Sequence, residues 1–285
     1  MMIQGRTVLP EDIGLIRQWM EQNPSWNRTR LSRELCCHWD WRAMSGRYKD
    51  MACRSLLLKL EQRGLLSLPP RHSPPKNAFR HRVIPYIAHS TCPIDTPLKS
   101  LLPLTIEIVA ASSQDLFSCL LARYHYLGYR GSVGQNIKYL VRTWSGAPVA
   151  CLLFGSAAWK MAPRDRFIGL NTSSRERSLP YLSNNMRFLI LPWVRVPSLA
   201  SFILSRIAKR ISLDWSTKYG HPLYLLETFV DRTRFLGTCY KAANWIYVGQ
   251  TQGRTRNDSH MTIRVSLKDV YLYPLTSRYQ ELLSP

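Results

Sequence analysis

The sequence predicts an α/β chain of the α+β kind, a small helical domain followed by a larger mixed-sheet domain. Three observations predict it. The first seventy residues hold three amphipathic helical segments. From residue 105 onward, helix-like and strand-like runs alternate. Within Leu223 to Arg254, LYLLETFVDRTRFLGTCYKAANWIYVGQTQGR, a strand, a short helix and a second strand follow one another.

Taken in order, Glu11 to Asn23 carries Ile13, Ile16, Trp19 and Met20 at helical spacing, with Pro10 where a helix start accepts proline. Asn27 or Thr29 suits the cap of a second helix containing Leu31, Leu35 and Trp39. A third helix, Lys49 to Arg63, has Met51, Leu56, Leu57 and Leu60 on its apolar side and Gly64 where a C-cap glycine belongs. Leu65 to Leu68 is a short strand-like run. Residues 1–70 therefore predict a winged helix-turn-helix whose third helix lies in the major groove. Arg54, Lys59 and Arg63 are its outward residues, with Arg47 and Lys49 leading in. A protein-interaction module with a solvated basic face is the plainer alternative. Residues 71–104 are rich in proline and basic residues, the composition of an extended linker. Arg71, Lys76, Arg80 and Arg82 there could track phosphates or simply be solvated, and Arg254 and Arg256 lie in a second basic stretch.

Residues 105–285 form the sheet domain. Thr105 to Val109 opens it, and Ser112 or Ser113 caps a helix to Arg123 that leads into ARYHYLGYRG. Strands at Ile137 to Thr143 and Val149 to Gly155 flank a Gly/Pro turn. Phe188 to Val194 reads as a buried central strand, followed by a helix from Leu199 to Asp214 capped by Ser198. Tyr224 to Val230 is a buried strand, Thr238 to Asn244 a short helix, and Trp245 to Gly249 a strand; Val270 to Pro274 is a late or edge strand.

Composition narrows the partners. The chain has 285 residues, room for about two domains, with 45% hydrophobic and 20% charged residues, as in a folded globular protein. Its 39 Lys+Arg against 18 Asp+Glu give a formal charge of +21, which favours a polyanion. No stretch of eighteen apolar residues stands in the sequence, so nucleic acid is expected and membrane is not. Seven cysteines without CxxC spacing and an N-terminus without a signal-peptide core fit a reduced cytoplasmic protein without structural zinc.

Several residues could carry chemistry. His125, between two tyrosines, suits a general base or metal ligand, or a structural histidine at a helix end. Glu227 stands inside an apolar strand, where a carboxylate needs a partner or a use. Asp165 sits between Arg164 and Arg166, where it is either salt-bridged or orienting a base. Asp231 closes the Glu227 strand and reads as a turn residue or a functional acid. Tyr240 could donate a proton, stack a base or fill core, and it is expected to share one pocket with Glu227. Tyr126, Asn184 and Asn185 are candidates for contact with a base.

The strand–GxxYxAxxW–strand unit and the order of elements resemble the closing part of the GNAT (acetyltransferase-type) fold. YHYLG, PRDRFIGL, NNMRFLILPWVRVPSLAS, DWSTKYGHPLYLLETFVD and GTCYKAANWIYVGQTQGR together resemble the DruA-like family, named after a protein of the Druantia anti-phage system. The resemblance spans nearly the whole chain. It implies a place in anti-phage defence islands or mobile elements, with other defence-system or transposon proteins as partners. A more distant similarity is to Mom-type DNA-modifying enzymes. One departure concerns the acetyltransferase pyrophosphate turn, which is glycine-rich in those enzymes. Here it reads Arg195-Val196-Pro197-Ser198-Leu199-Ala200. With no glycine and with Pro197 lacking a donor, the sequence argues against ordinary acetyl-CoA binding.

Two enzyme classes and one binding class follow. In the first, the protein docks on DNA, duplex or locally unpaired, and modifies an exposed base through His125, Glu227 and Tyr240. In the second, Asp165, Glu227 and Asp231 hold a divalent metal for strand cleavage or transfer. The third is a DNA-recognition subunit without catalysis.

Overall fold

Apolar side chains collect in separate places along the chain, and the chain accordingly divides into two units, Met1–Ala78 and Phe79–Pro285. The computed structural model describes residues 1–3, 6–43, 46–71, 82–253 and 266–284.

In the first unit, strands β1 (Met2–Ile3) and β2 (Arg6–Thr7) pair antiparallel ahead of helices α1 (Pro10–Gln22), α2 (Arg28–His38) and α3 (Asp50–Gln62). Asn27 caps α2, its Oδ1 accepting from the N–H groups of Thr29 at 3.0 Å and Arg30 at 2.9 Å. Ile16, Leu31, Leu35, Leu56 and Leu60 interlock in a fully buried core. Two expectations need correction. Met51 is 65% exposed, because Cys53, Leu56, Leu57 and Leu60 make the inward stripe. Leu65 to Leu68 is not a strand: Leu66 and Leu68 are buried while the Leu65 carbonyl and the Leu68 N–H bond to the side chains of Arg17 and Glu61.

The second unit opens with α4 (Leu98–Leu101), β3 (Leu104–Ile108) and α5 (Gln114–Tyr124). The hairpin β4 (Asn136–Thr143) and β5 (Pro148–Ser156) follows. Two short helices, α6 (Ala162–Ile168) and α7 (Thr172–Ser178), lead to β6 (Leu182–Ile190). Then come α8 (Leu199–Ala208), α9 (Ile211–Tyr219), β7 (Leu225–Asp231), α10 (Thr238–Ala242), β8 (Ile246–Gln250), β9 (Lys268–Pro274) and α11 (Tyr279–Leu283). The seven strands lie in the order β3-β4-β5-β6-β7-β9-β8. All neighbours are antiparallel except β6 and β7, which are parallel. One parallel pair inside an antiparallel sheet, with helices crossing between its strands, is the GNAT-like arrangement.

Three boundaries differ from the sequence reading. The central strand starts at Leu182 and ends at Ile190, since Leu191 to Val194 turns, Val194 N–H bonding back to the Leu191 carbonyl at 2.9 Å. The expected single helix after Ser198 is two, broken where the Arg210 N–H caps back onto Ile207. The late strand is interior, with β9 pairing both β7 and β8. No helix among the described residues is long and apolar enough to cross a membrane.

Candidate functional site

Strands β6 and β7 pair only over Leu182↔Leu225, Ser183↔Leu226 and Asn184↔Glu227. Beyond that register both continue without backbone pairing, with Thr228 Oγ1 still donating to the Asn185 carbonyl at 3.2 Å, and the sheet splays open. A cleft of about 590 Å³ fills the gap, a size suited to a small flat ligand. The loop after α5 forms one wall, β6 and β7 the floor, and the β7–α10 connection the other wall.

Gly237 makes that second wall possible. Its φ is +70°, and a Cβ there would meet the Tyr271 hydroxyl at 2.7 Å, so only glycine lets the chain pass and turn into α10. Gly237 takes the N-cap position of that helix. The turn brings Tyr240 inward, where its hydroxyl donates to Asn185 Oδ1 at 2.9 Å and accepts from Thr228 Oγ1 at 3.4 Å. Burial pushes the phenol well above the ordinary tyrosine range, so it stays protonated. Asn184 and Asn185 both line the cleft, and each keeps one buried amide atom, Asn184 Oδ1 and Asn185 Nδ2, without a hydrogen-bond partner among the described residues.

On the opposite wall, His125 ends α5 and accepts at Nδ1 from the Leu127 N–H, 3.1 Å away. That bond leaves Nε2 to carry the ring proton. Burial, with the Arg187 charge adding to it, pushes its pKa down to about 4, so the ring is neutral near pH 7. Tyr126 stacks on His125 with centroids 4.8 Å apart and meets Phe235 edge-on at 5.3 Å. Asp231 closes β7. Its carboxylate accepts from Ser266 Oγ at 2.7 Å and from Thr233 Oγ1 at 2.8 Å, bonds that hold its pKa below the usual range. Asp231 is thus both the turn residue and an anion on the cleft.

The sequence-predicted residues therefore fall into two groups. His125, Tyr126, Asn184, Asn185, Asp231 and Tyr240 line one cleft. Glu227 and Asp165 do not. Successive strand residues face opposite sides, and while Thr228 reaches Tyr240, Glu227 turns the other way. There the fully buried Arg164 donates from Nη1 to Glu227 Oε2 at 2.8 Å and from Nη2 to Asp165 Oδ1 at 2.7 Å. Ala158 N–H supplies Glu227 Oε1 at 2.7 Å, and Arg175 Nε supplies Asp165 Oδ2 at 2.8 Å. Burial pushes the Glu227 carboxyl up, and the Arg164 charge opposes it. The expectation of a shared Glu227–Tyr240 pocket is corrected, because Glu227 is the partner of a buried arginine. The three-acid metal reading is corrected as well. Asp165 and Glu227 each give one oxygen to Arg164 and the other to Arg175 and the Ala158 N–H respectively, Asp231 lies on the cleft, and no group of three or more His, Cys, Asp or Glu gathers among the described residues.

Of the basic residues singled out, Arg47, Lys59, Arg63 and Arg71 are exposed and Lys49 is half-buried. Arg54 is not free, since its guanidinium pairs with Asp50 one turn back at 2.5 Å. Lys76, Arg80, Arg254 and Arg256 lie outside the described residues. Sequence reasoning passed over Arg187 and Lys268, which also line the cleft. The signal for Arg187 is a cation placed in an otherwise apolar strand, MRFLIL.

A family model described as Druantia protein DruA matches residues 59–271. No curated protein matches the chain. Among solved structures, a mutant of the spermidine N-acetyltransferase SpeG from Vibrio cholerae is similar at 10% identity, covering 62% of this chain and 95% of that one, with a TM-score of 0.40. Another similar structure is a spermidine N-acetyltransferase from Vibrio cholerae in complex with CoA and spermine. It shows 8% identity, coverage of 62% and 97%, and a TM-score of 0.42. The expectation against acetyl-CoA does not stand beside these, since one similar structure holds CoA. The backbone removes its main premise as well. Ser198 takes the left-handed conformation itself, at φ 61°, so the turn before α8 forms without a glycine.

Proposed function

The chain belongs to the Druantia protein DruA family, named after an anti-phage system, and on that premise we propose that it acts on DNA, taking one base into the β6–β7 cleft and modifying it there. The observation that carries this reading is Asn185. Its buried Nδ2 donor is left unmatched on the Tyr240 side of the sheet, which is costly unless a ligand meets it, and the edge of a nucleobase offers the complementary acceptor. Tyr126 and Phe235, both partly exposed at the rim, supply faces on which a flat ring stacks. A base reaches such a cleft only when unpaired or flipped out of the duplex.

In this reading each polar group has a defined task. Tyr240, protonated, donates its one hydroxyl hydrogen to Asn185 Oδ1 and so turns the Asn185 Nδ2 donor toward the bound ring. Neutral His125 donates from Nε2 while the Leu127 N–H fixes its tautomer. Asp231, ionised, balances positive charge that develops on the ring. The first unit, read as a winged-helix type with Lys59 and Arg63 exposed on or beside α3, adds duplex contact.

The test is incubation of the purified protein with single-stranded and duplex DNA, with and without acetyl-CoA, followed by nucleoside mass spectrometry and a cleavage gel on the same tubes. A new nucleoside mass that disappears with Tyr240→Phe is the expected result. DNA binding with no altered nucleoside in any arm, including arms supplied with cell extract, overturns the modification and leaves a recognition subunit. Strand breaks without altered bases overturn it in favour of a nuclease.

A further inference from the structure

Beside the cleft lies a second cavity, of about 660 Å³, and its lining is basic. Arg82, Arg123, Arg130 and Arg187 surround it together with small and apolar residues, and among the described residues no acidic one lines it. Arg82, Arg123 and Arg187 enter no ion pair among the described residues. Arg187 is held in place by two carbonyls, from Nε to the Gly128 oxygen at 3.2 Å and from Nη1 to the Met186 oxygen at 2.7 Å. Arg123 is steadied by its stack on Tyr86, 4.7 Å from the ring centroid. Guanidinium groups brought round one hollow repel one another, and a half-buried one such as Arg187 also loses hydration. A multiply oxygenated anion relieves both costs, and the guanidinium fork matches phosphate geometry.

We propose that this cavity is a phosphate-binding site, and that it holds the backbone phosphate of the nucleotide whose base enters the neighbouring cleft. The two hollows share Arg187 and Leu127, which places phosphate and base recognition on either side of one residue pair. The left-handed Gly128, at φ +58°, turns the loop so that its carbonyl faces Arg187 while the residues before it wall the cleft. The link to the base rests on the nucleic-acid reading of the cleft; the phosphate chemistry does not.

The experiment uses the full chain and a fluorescein-labelled single-stranded oligonucleotide, with affinity measured across a salt series. Arg82→Gln combined with Arg123→Gln changes two exposed side chains, so the fold is expected to survive, as checked by circular dichroism and melting temperature. Arg206→Gln combined with Lys209→Gln, also exposed and outside the cavity lining, is the charge-matched control. The cavity variant is expected to bind about tenfold more weakly and to lose roughly 1.4 from the salt slope, about 0.7 for each phosphate contact removed, while the control stays within about twofold. Inorganic pyrophosphate is then added as competitor. Failure to compete at millimolar concentration assigns the site to strand phosphate, and competition that the cavity variant abolishes assigns it to free phosphate groups. Equal losses in both variants, or no loss in either, overturn the site. Tyr240→Phe, which leaves the cavity intact, is carried through the nucleoside assay in parallel. If the arginine variant weakens binding while no altered nucleoside forms, the phosphate site stands and the cleft reading falls.

Discussion

Tyr240 hands its hydroxyl proton to Asn185 at 2.9 Å, and that one bond fixes which amide atom faces the cleft. Tyr240→Phe strips the bond while keeping the ring that packs on Trp245 and Tyr271. A loss of roughly 1 kcal/mol in stability is expected, since a buried acceptor goes unmatched, together with loss of base modification and unchanged DNA affinity. Chemical denaturation and the nucleoside assay check the two halves separately. His125 makes a pH prediction. Its folded pKa of about 4 lies below the ordinary histidine value of 6.5, so the unfolded chain binds the extra proton first. The stability it contributes is therefore full above about pH 6.5 and is lost as pH falls from there towards 4. Replacing it by Gln should flatten that part of the stability–pH curve, and an unchanged curve would count against a buried neutral ring. These residues were legible because each stands in a short motif, YHYLG, NNM or GTCY, although only the fold brings the three motifs to one cleft. Glu227 was misplaced for the opposite reason. An acid in an apolar strand was rightly seen to need a partner, but Arg164 sits far upstream, and only the fold brings the two together.

At the scale of elements, the site is a consequence of strands that stop pairing. Register holds β6 and β7 together for three residue pairs, and Asn185, Thr228 and Asp231 of the cleft lie beyond the last of them. The order of strands could be foreseen from alternation and turn chemistry, and so could the short helix from Thr238 between the last strands. The start of β6 could not, because Ser183, Asn184 and Asn185 look like loop residues until Ser183 Oγ is seen bonded to the Gly155 carbonyl at 2.9 Å. Likewise the paired placement of β9 depends on contacts with β7 and β8 that no local pattern announces. Two substitutions test the element-level account. Gly237→Ala forces an L side chain into a left-handed turn and against Tyr271, costing about 1–3 kcal/mol. In a domain of this size that lowers the melting temperature by about 2–4 °C for each kcal/mol. Glu227→Gln leaves the buried Arg164 without one of its two carboxylates and should cost roughly 3–5 kcal/mol. Thermal melts decide both, and a Glu227→Gln protein that melts normally yet loses activity would return Glu227 to the chemistry.

At the scale of the whole molecule, the charge is not where a helix-turn-helix alone would put it. Residues 79–285 hold 26 of the 39 basic residues and only 11 of the 18 acidic ones, so most of the positive field belongs to the sheet unit. The first unit keeps its own core, Ile16, Leu31, Leu56 and Leu60 among it, and the second keeps two buried clusters of its own. Units with separate cores fold separately as a rule. A fragment covering residues 79–285 should therefore melt cooperatively by itself. Because nucleic-acid affinity follows the number of phosphates neutralised, that fragment should also keep roughly half or more of the full chain's salt slope on single-stranded DNA. On duplex DNA the loss should be larger, since the winged-helix reading gives groove contact to the first unit alone. Anisotropy titrations of fragment and full chain on both DNA forms measure the contrast. If the fragment folds but binds neither form, DNA contact belongs to the first unit, and the arginine cavity and the cleft then take their ligand from a source other than a bound strand.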